Sequence, residues 1–467
     1  MPLISLLGIA LKLTRLNAFW QATASLRVSL RSAAAPVLPL YLSWLMMSFI
    51  GIVDLALAGR IDTHAQAALG VADQILFMIM LAVSGLAAGV NSCLSQALGA
   101  GNLPLARAYK QAGMFLTTTI GLIASLAGMC LAKPLARLFC ADEAVVSYAS
   151  QYIAICSIAN YPWAMIQCQG AIFRSLGCPQ VIAYQWLLIT VIAIVPGSVA
   201  FLCLPGCHSL VPIAVAWVIA CITGFFYGHA LVFDAFPNLP GFNSQLDQLI
   251  NRIEDILKVG TPILLSELSW LVSNLLLYWL LAKLPDGASA QVAWTIKLRM
   301  EETIAYAPLF AAGMACATQV GHRVGARRQE AARALAQQLT VLSTVAMLIA
   351  GCLTALFAPQ TIPFLTRDGQ TAKLSQALLA CAPLTYPLMT LSSLLAAAFE
   401  GAGKTLKPML INLAGYFLVR LPLAWILMTP LGVMGVMLAK AISCVFTACA
   451  MVSIFQRTPW GQPQVGP

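Results

Sequence analysis

Charged residues are what this chain lacks most: they make up 9% of its 467 residues, where soluble proteins carry roughly 25%. Hydrophobic residues make up 60%. So little charge excludes a water-soluble fold of this size, because much of any folded surface must face water. Histidine is scarce as well, with 4 residues lying mostly between apolar runs. No CxxC or paired ligand spacing appears, which argues against a zinc site. No G-x-x-x-x-G-K-[ST] loop is found, which disfavours an ATP-driven pump. No Ser/His/Asp set appears either, so the chain does not read as an enzyme. Acids are fewer than bases, and the net charge is +10. The bases nevertheless form no patch. They sit in short segments between apolar runs, which is a membrane pattern and excludes nucleic acid as the partner.

What is abundant is long apolar sequence. A membrane-spanning helix needs about 20 mostly apolar residues. Twelve stretches qualify, near 33–58, 66–97, 109–132, 147–172, 179–204, 208–231, 256–283, 288–320, 330–358, 372–400, 406–429 and 431–456. They read as helices, because barrel strands would show short alternating segments. Most of the 14 cysteines sit alone inside these runs, as Cys93, Cys130 and Cys221 do, where Cys acts as a small hydrophobe. Cys203 and Cys207 flank a Leu-Pro-Gly turn and are either a disulfide or two reduced thiols.

The distribution of Lys and Arg tests the count. With the N-terminus in the cytoplasm, 16 fall in cytoplasmic segments and 6 in outer ones, and Lys297, Arg299, Arg420 and Lys440 lie within spans. Twelve spans with both termini cytoplasmic, in a plasma (inner) membrane, satisfy this alternation. Residues 1–32 carry Lys12, Arg15, Arg27 and Arg31 and no acid. They read as a basic amphipathic segment on the cytoplasmic surface, with a signal-peptide core as the alternative. The remaining organisation is an N-lobe at 33–232, a cytoplasmic connector at 233–257, a C-lobe at 258–456 and a tail at 457–467.

The two lobes repeat. An offset of 226 residues superposes Leu42-Ser43-Trp44-Leu45 on Leu268-Ser269-Trp270-Leu271, Gly99-Ala100 on Gly325-Ala326, Phe173 on Phe399, Gly177 on Gly403 and Pro196 on Pro422. Six spans per half is an even number, so both halves enter the membrane in the same sense. The expected fold is all-α, with two six-helix bundles related by a pseudo-two-fold axis along the membrane normal, as in transporters that rock about a central cavity.

At this point the residues resemble the MATE family of multidrug and toxic compound extruders. The resemblance rests on Pro39 followed by Val53-Asp54 and Gly59-Arg60, on Gln96-Ala97-Leu98-Gly99-Ala100-Gly101-Asn102, on Phe173-Arg174-Ser175-Leu176-Gly177, and on the echo Val320-Gly321-His322-Arg323-Val324-Gly325-Ala326. It implies an antiporter that exports small organic, often cationic, compounds against inward H+ or Na+, with no cofactor beyond that ion. Some family members carry a second acid before the proline of span 5, where this chain has Val195 before Pro196. NorM-like members carry acids deep in helices 7 and 10. Here helix 7 has Glu267, about a turn early, and helix 10 has only Glu400 near its end. The coupling ion therefore does not carry over.

An ionisable side chain within a span costs roughly 2.5–3.5 kcal/mol on insertion scales and is a functional candidate by default. Asp54 lies in an apolar helix and must be neutralised by a proton, a cation or a partner such as Arg60. Glu267 is the second candidate for ion coupling. Glu301, Glu302 and Arg299 are candidates for ion or substrate, although Lys297–Glu301 and Arg299–Glu302 have the spacing of self-neutralised pairs. Asp73 reads as a helix N-terminal charge. Trp44, Met47, Asn160 and Gln167 are candidates for the cavity lining, against ordinary core or lipid-facing roles. The partners expected are small-molecule substrates and membrane lipids, and the chain is taken as a monomer. A flippase for a lipid-linked precursor is the alternative. It would favour a cavity rich in Arg and Lys, which the centres of the N-lobe spans lack.

Overall fold

The computed structural model describes residues 35–139, 142–203, 209–235, 246–366 and 368–458. The basic segment 1–32, Cys207 of the cysteine pair, much of the connector and the tail beyond 458 lie outside them. The described residues form helices and no strand. Eleven helices are long and apolar enough to cross a membrane. The twelfth span is made of two shorter helices in line.

Helices α1 (Val37–Ala58), α2 (Thr63–Gly99) and α3 (Leu103–Phe139) open the first bundle. Span α4 comes in two pieces, Glu143–Ser157 and Asn160–Ser175. Helices α5 (Pro179–Cys203) and α6 (Val211–Ala235) complete it. The second bundle begins with α7 (Leu246–Leu281), so residues 246–257, read from sequence as connector, are the first turns of this helix. Span α8 runs Gly287–Glu301, then a π-helical Glu302–Tyr306, then Ala307–Gly325. Next come α9 (Gln329–Thr361) and α10, again in two pieces, Gly369–Leu379 and Ala382–Gly401. Span α11 joins Leu406–Leu413, a π-helical Ala414–Arg420 and Leu421–Leu431, and α12 is Val433–Arg457.

Local chemistry explains the irregularities. A proline has no N–H, so the carbonyl four residues earlier loses its helical partner. Pro162 and Pro383 stand four residues after Ile158 and Leu379, where α4 and α10 break. The first pieces of these spans start on matched caps. Asp142 accepts from the Ala144 amide at 2.9 Å and Asp368 from the Thr371 amide at 2.9 Å. Those two aspartates are 226 residues apart. So are the left-handed turn residues Gly177 (φ 77°) and Gly403 (φ 74°), and Gly101 (φ 71°) and Arg327 (φ 58°). The repeat read from a few letters is therefore present in the backbone.

The same offset governs how the bundles meet. Near the face where α1 begins and α12 ends, α2 crosses α8. A Cβ on Gly99 would strike the His322 backbone, and one on Gly325 would strike the Gln96 backbone. These two contacts exchange under the offset, and Ser95 against Gly321 sits between them at the axis. Small residues let the backbones approach closely. Hydrogen bonds reinforce the crossing. Thr318 donates to Asn91 Oδ1 at 3.0 Å, Ser92 to the Glu400 carbonyl at 2.6 Å, and Gln96 to the Gly401 carbonyl at 2.9 Å. Tyr109 of α3 also donates to Asp255 of α7 at 2.8 Å.

The cores follow this asymmetry between faces. On the terminal face one apolar cluster takes in both bundles, from Val90, Leu94 and Ile172 to Ile256, Ile263 and Ala311. Toward the opposite face each bundle has its own cluster. One is built on Leu69, Ile75 and Ile153, the other on Leu277, Leu281 and Trp294. A further cluster, from Tyr306 and Val320 to Phe455, belongs to the second bundle and reaches the terminal face. Among the described residues the bundles thus share an apolar cluster toward that face and keep separate ones toward the other. Exposed Phe115, Ile123, Leu126, Leu353, Leu356 and Leu418 give the exterior an apolar belt suited to lipid.

Candidate functional site

Asp54 lies four residues before the end of α1 and is 8% exposed. Among the described residues it makes no hydrogen bond and no ion pair, so the alternative pairing with Arg60 is not formed. Its charged neighbour is Asp73 of α2, and Tyr152 of α4 lies within electrostatic reach of both. Asp73 does not act as a helix N-terminal charge. The helix starts at Thr63, and Asp62 is the cap, accepting from the Ala65 amide at 2.6 Å. Asp73 instead sits nearly three turns into α2, exposed, and within electrostatic reach of Arg299 on the other bundle. Two carboxyls without a cation of their own bundle between them are suited to holding a proton or a small cation. The sequence signal for this partnership was available only in the 226-residue offset, which pairs Asp73 with Arg299.

The second bundle presents the opposite chemistry. Lys297 and Glu301 meet at 2.8 Å, each with a side chain 1% exposed. Lys440 of α12 joins them at 2.7 Å from Glu301 Oε2 and 3.0 Å from Oε1. The pair foreseen from its spacing is therefore a triad, and its third member was invisible because it lies 139 residues away. The Trp294 ring stacks under Lys297 Nζ at 4.3 Å. Arg299 and Glu302 pair at 3.1 Å on the exposed side, where the Arg299 side chain is 67% exposed. Glu302 thus faces away from Glu301, and the two do not form one acid site.

Between the bundles runs a line of rings. Trp44 stacks on Phe310 at 5.1 Å, Phe310 on Tyr306 at 6.0 Å, and Tyr306 meets Trp270 edge-on at 5.7 Å. Trp44 and Trp270 are repeat partners, so the ladder joins equivalent points of the two bundles. It forms a continuous aromatic face from one bundle to the other. Such faces take flat or cationic organic molecules.

The other residues singled out by sequence fall elsewhere. Glu267 is half-buried on the bundle interface, where Ser84 Oγ of α2 approaches it at 3.5 Å and Glu400 is its charged neighbour. It is not brought together with Asp54. Met47 is half-buried and packs on the shared core. Asn160 is buried and donates to the Ala124 carbonyl at 3.3 Å, which places it in the packing at the α4 break. Gln167 is half-buried. The buried amides that do form a network are Gln169 and Gln185, which meet at 2.8 Å and bond to the Phe225 and Gly224 carbonyls.

The sequence profile of the MatE family matches residues 39–199 and 262–426, one stretch in each bundle. A probable multidrug resistance protein NorM of Thermotoga maritima is 22% identical over 428 residues, 89% of each chain. An uncharacterized transporter YisQ of Bacillus subtilis is 21% identical, covering 84% of this chain and 86% of that one. Among solved structures, a Vibrio cholerae MATE transporter superposes with a TM-score of 0.85 at 19% identity, over 94% of this chain and 98% of that one. A multidrug resistance MATE family transporter described as outward-facing gives a TM-score of 0.84 at 18% identity, over 91% and 95%.

Proposed function

The chain belongs to the MatE family, and on that premise we propose that it exports small organic molecules, driven by H+ or Na+ entering through the N-lobe. The observation that carries this reading is the division of the apolar clusters. The one apolar cluster that takes in both bundles lies toward one face, and the clusters toward the other face each stay within a single bundle, with Asp54 buried in the first bundle. The Lys and Arg distribution assigns the face joined by the shared cluster to the cytoplasm, so a cleft between the bundles opens outward from the plasma membrane and both termini lie inside. The protein works as a monomer in lipid.

The cycle follows from differential affinity. An ion shifts a two-state equilibrium only as far as it prefers one state. Asp54 and Asp73 repel each other when both are charged. A proton or sodium ion between them removes that repulsion and favours closer approach of α1 and α2 on the cleft side. Substrate rests on the Trp44–Phe310–Tyr306–Trp270 face until it leaves outward. Inward opening then requires the Gly99–His322 and Gly325–Gln96 contacts to part.

The test is dye efflux from vesicles under imposed proton and sodium gradients, comparing the native chain with Asp54→Asn. Efflux that follows one gradient and disappears in the variant supports the reading and names the ion. Efflux retained by the variant would sink the role of Asp54. A second reading, a flippase for a lipid-linked precursor, draws support from the cations of the C-lobe. It gains if neither protein moves dye while both move a fluorescent lipid-linked phosphate.

A further inference from the structure

We propose that the interior of the C-lobe binds a small inorganic monoanion, with chloride as the probe, among Lys297, Lys440 and Arg420 beside Tyr306. The argument starts from charge. Glu301 is shared by Lys297 and Lys440, so one carboxylate faces two ammonium groups, all nearly excluded from solvent. Arg420 adds a third buried cation. It lies over the Tyr416 ring at 4.7 Å, and Tyr306 lies within electrostatic reach of Lys440, Glu301 and Arg420 together. Glu267 reaches the same region through Tyr416. Even so, three cations stand against two carboxylates, and one of those carboxylates is half-buried on the bundle interface. Unbalanced charge in a low-dielectric interior is strongly unfavourable.

Hydrogen bonding gives an independent indication. Arg420 Nε and Trp294 Nε1 are buried and have no acceptor among the described residues. Both are donors: Trp294 lies against Lys297 and Lys440, and Arg420 is itself the third cation. A region with surplus donors and surplus positive charge has the chemistry of an anion site. The enclosure of Lys297, Lys440 and Arg420 favours an inorganic ion over an organic one.

The backbone is specialised at the same place. π-helical segments, which are frequent at functional sites, directly follow Glu301 and end on Arg420. Their repeat counterparts, 76–80 and 188–194, are ordinary α-helix. The counterparts of Lys297, Glu301, Lys440 and Arg420 are Val71, Ile75, Ala214 and Ile194. The first bundle carries none of this charge, so common ancestry of the halves does not require it.

The test uses the full-length protein in nanodiscs, with radioactive chloride at constant ionic strength held with gluconate. The expected result is saturable binding of one chloride per chain, weakened at least about tenfold in Arg420→Gln and lost in Lys440→Met. Chloride should also raise the unfolding midpoint of the native protein saturably. Absence of saturable chloride binding to the native protein overturns the proposal, whatever the variants do. So does native-like binding in a folded Arg420→Gln variant.

Discussion

The two bundles share a backbone and differ in charge. Their span order, left-handed turns, Asp caps and glycine crossings correspond under one offset. Their ionisable groups within the spans do not. The first bundle keeps Asp54 and Asp73. The second has Leu280 and Arg299 at those positions and adds Lys297, Glu301, Lys440 and Arg420. The difference teaches that a shared backbone plan does not fix the chemistry, which is assigned to each bundle separately. An exporter with identical halves would have no reason to draw ion and substrate to different places.

The largest effect that would sharpen this comparison is on stability. Glu301→Gln leaves Lys297 and Lys440 buried without a counter-charge and should cost about 3–5 kcal/mol. The repeat-equivalent change Ile75→Val should cost only about 0.5–1.5 kcal/mol. Thermal unfolding of both variants in the same detergent measures the gap, and equal losses would erase the distinction.

Next comes transport. Asp54→Asn should lower gradient-driven efflux at least about tenfold, a change worth roughly 1.4 kcal/mol or more in coupling. Adding Leu280→Asp to that variant restores a carboxyl at the repeat position. Efflux should stay lost, because the second bundle is cationic. Recovery would show that the halves are interchangeable.

A third prediction concerns what the bundles share. Gly99→Ala and Gly325→Ala introduce equivalent overpacking at the crossing of α2 and α8. Each should destabilise by about 1–3 kcal/mol, and the two unfolding midpoints should agree. A large difference between them would break the symmetry inferred for the joined face.

The smallest effect is at a cap. The Thr371 hydroxyl and amide hold the Asp368 carboxyl below its ordinary range. A lowered carboxyl stabilises above its unfolded value, and that contribution is lost as pH falls through the folded one. Amide exchange at Thr371 should therefore show weaker protection in acid, relative to neighbouring α10 amides. Unchanged relative protection would mean that the cap does not stabilise this helix start.

Much of the fold was legible because membrane spans are written locally. Twenty apolar residues mark a helix wherever they occur, and Asp54 stood out for the same reason, as a charge in an apolar run. The breaks in α4 and α10 were not legible, since other prolines such as Pro196 and Pro262 sit inside continuous helices. What stayed hidden depends on distance along the chain. Lys440 meets Glu301 from another helix, and Asp73 meets Asp54 and Arg299 only after α1, α2 and α8 pack. Asn160 looked like a polar group facing a cavity, yet the break in α4 turns it onto the Ala124 carbonyl. The π-helical segments have no sequence mark of their own.

The most direct test of alternating access is to lock the joined face. Asn91 and Thr318 meet across the bundles at 3.0 Å. In a background without the native cysteines, Asn91→Cys with Thr318→Cys can be oxidised to a crosslink in vesicles and then reduced. The account predicts that efflux stops when the crosslink is complete and returns on reduction. Efflux at the uncrosslinked rate with the crosslink fully formed would contradict it.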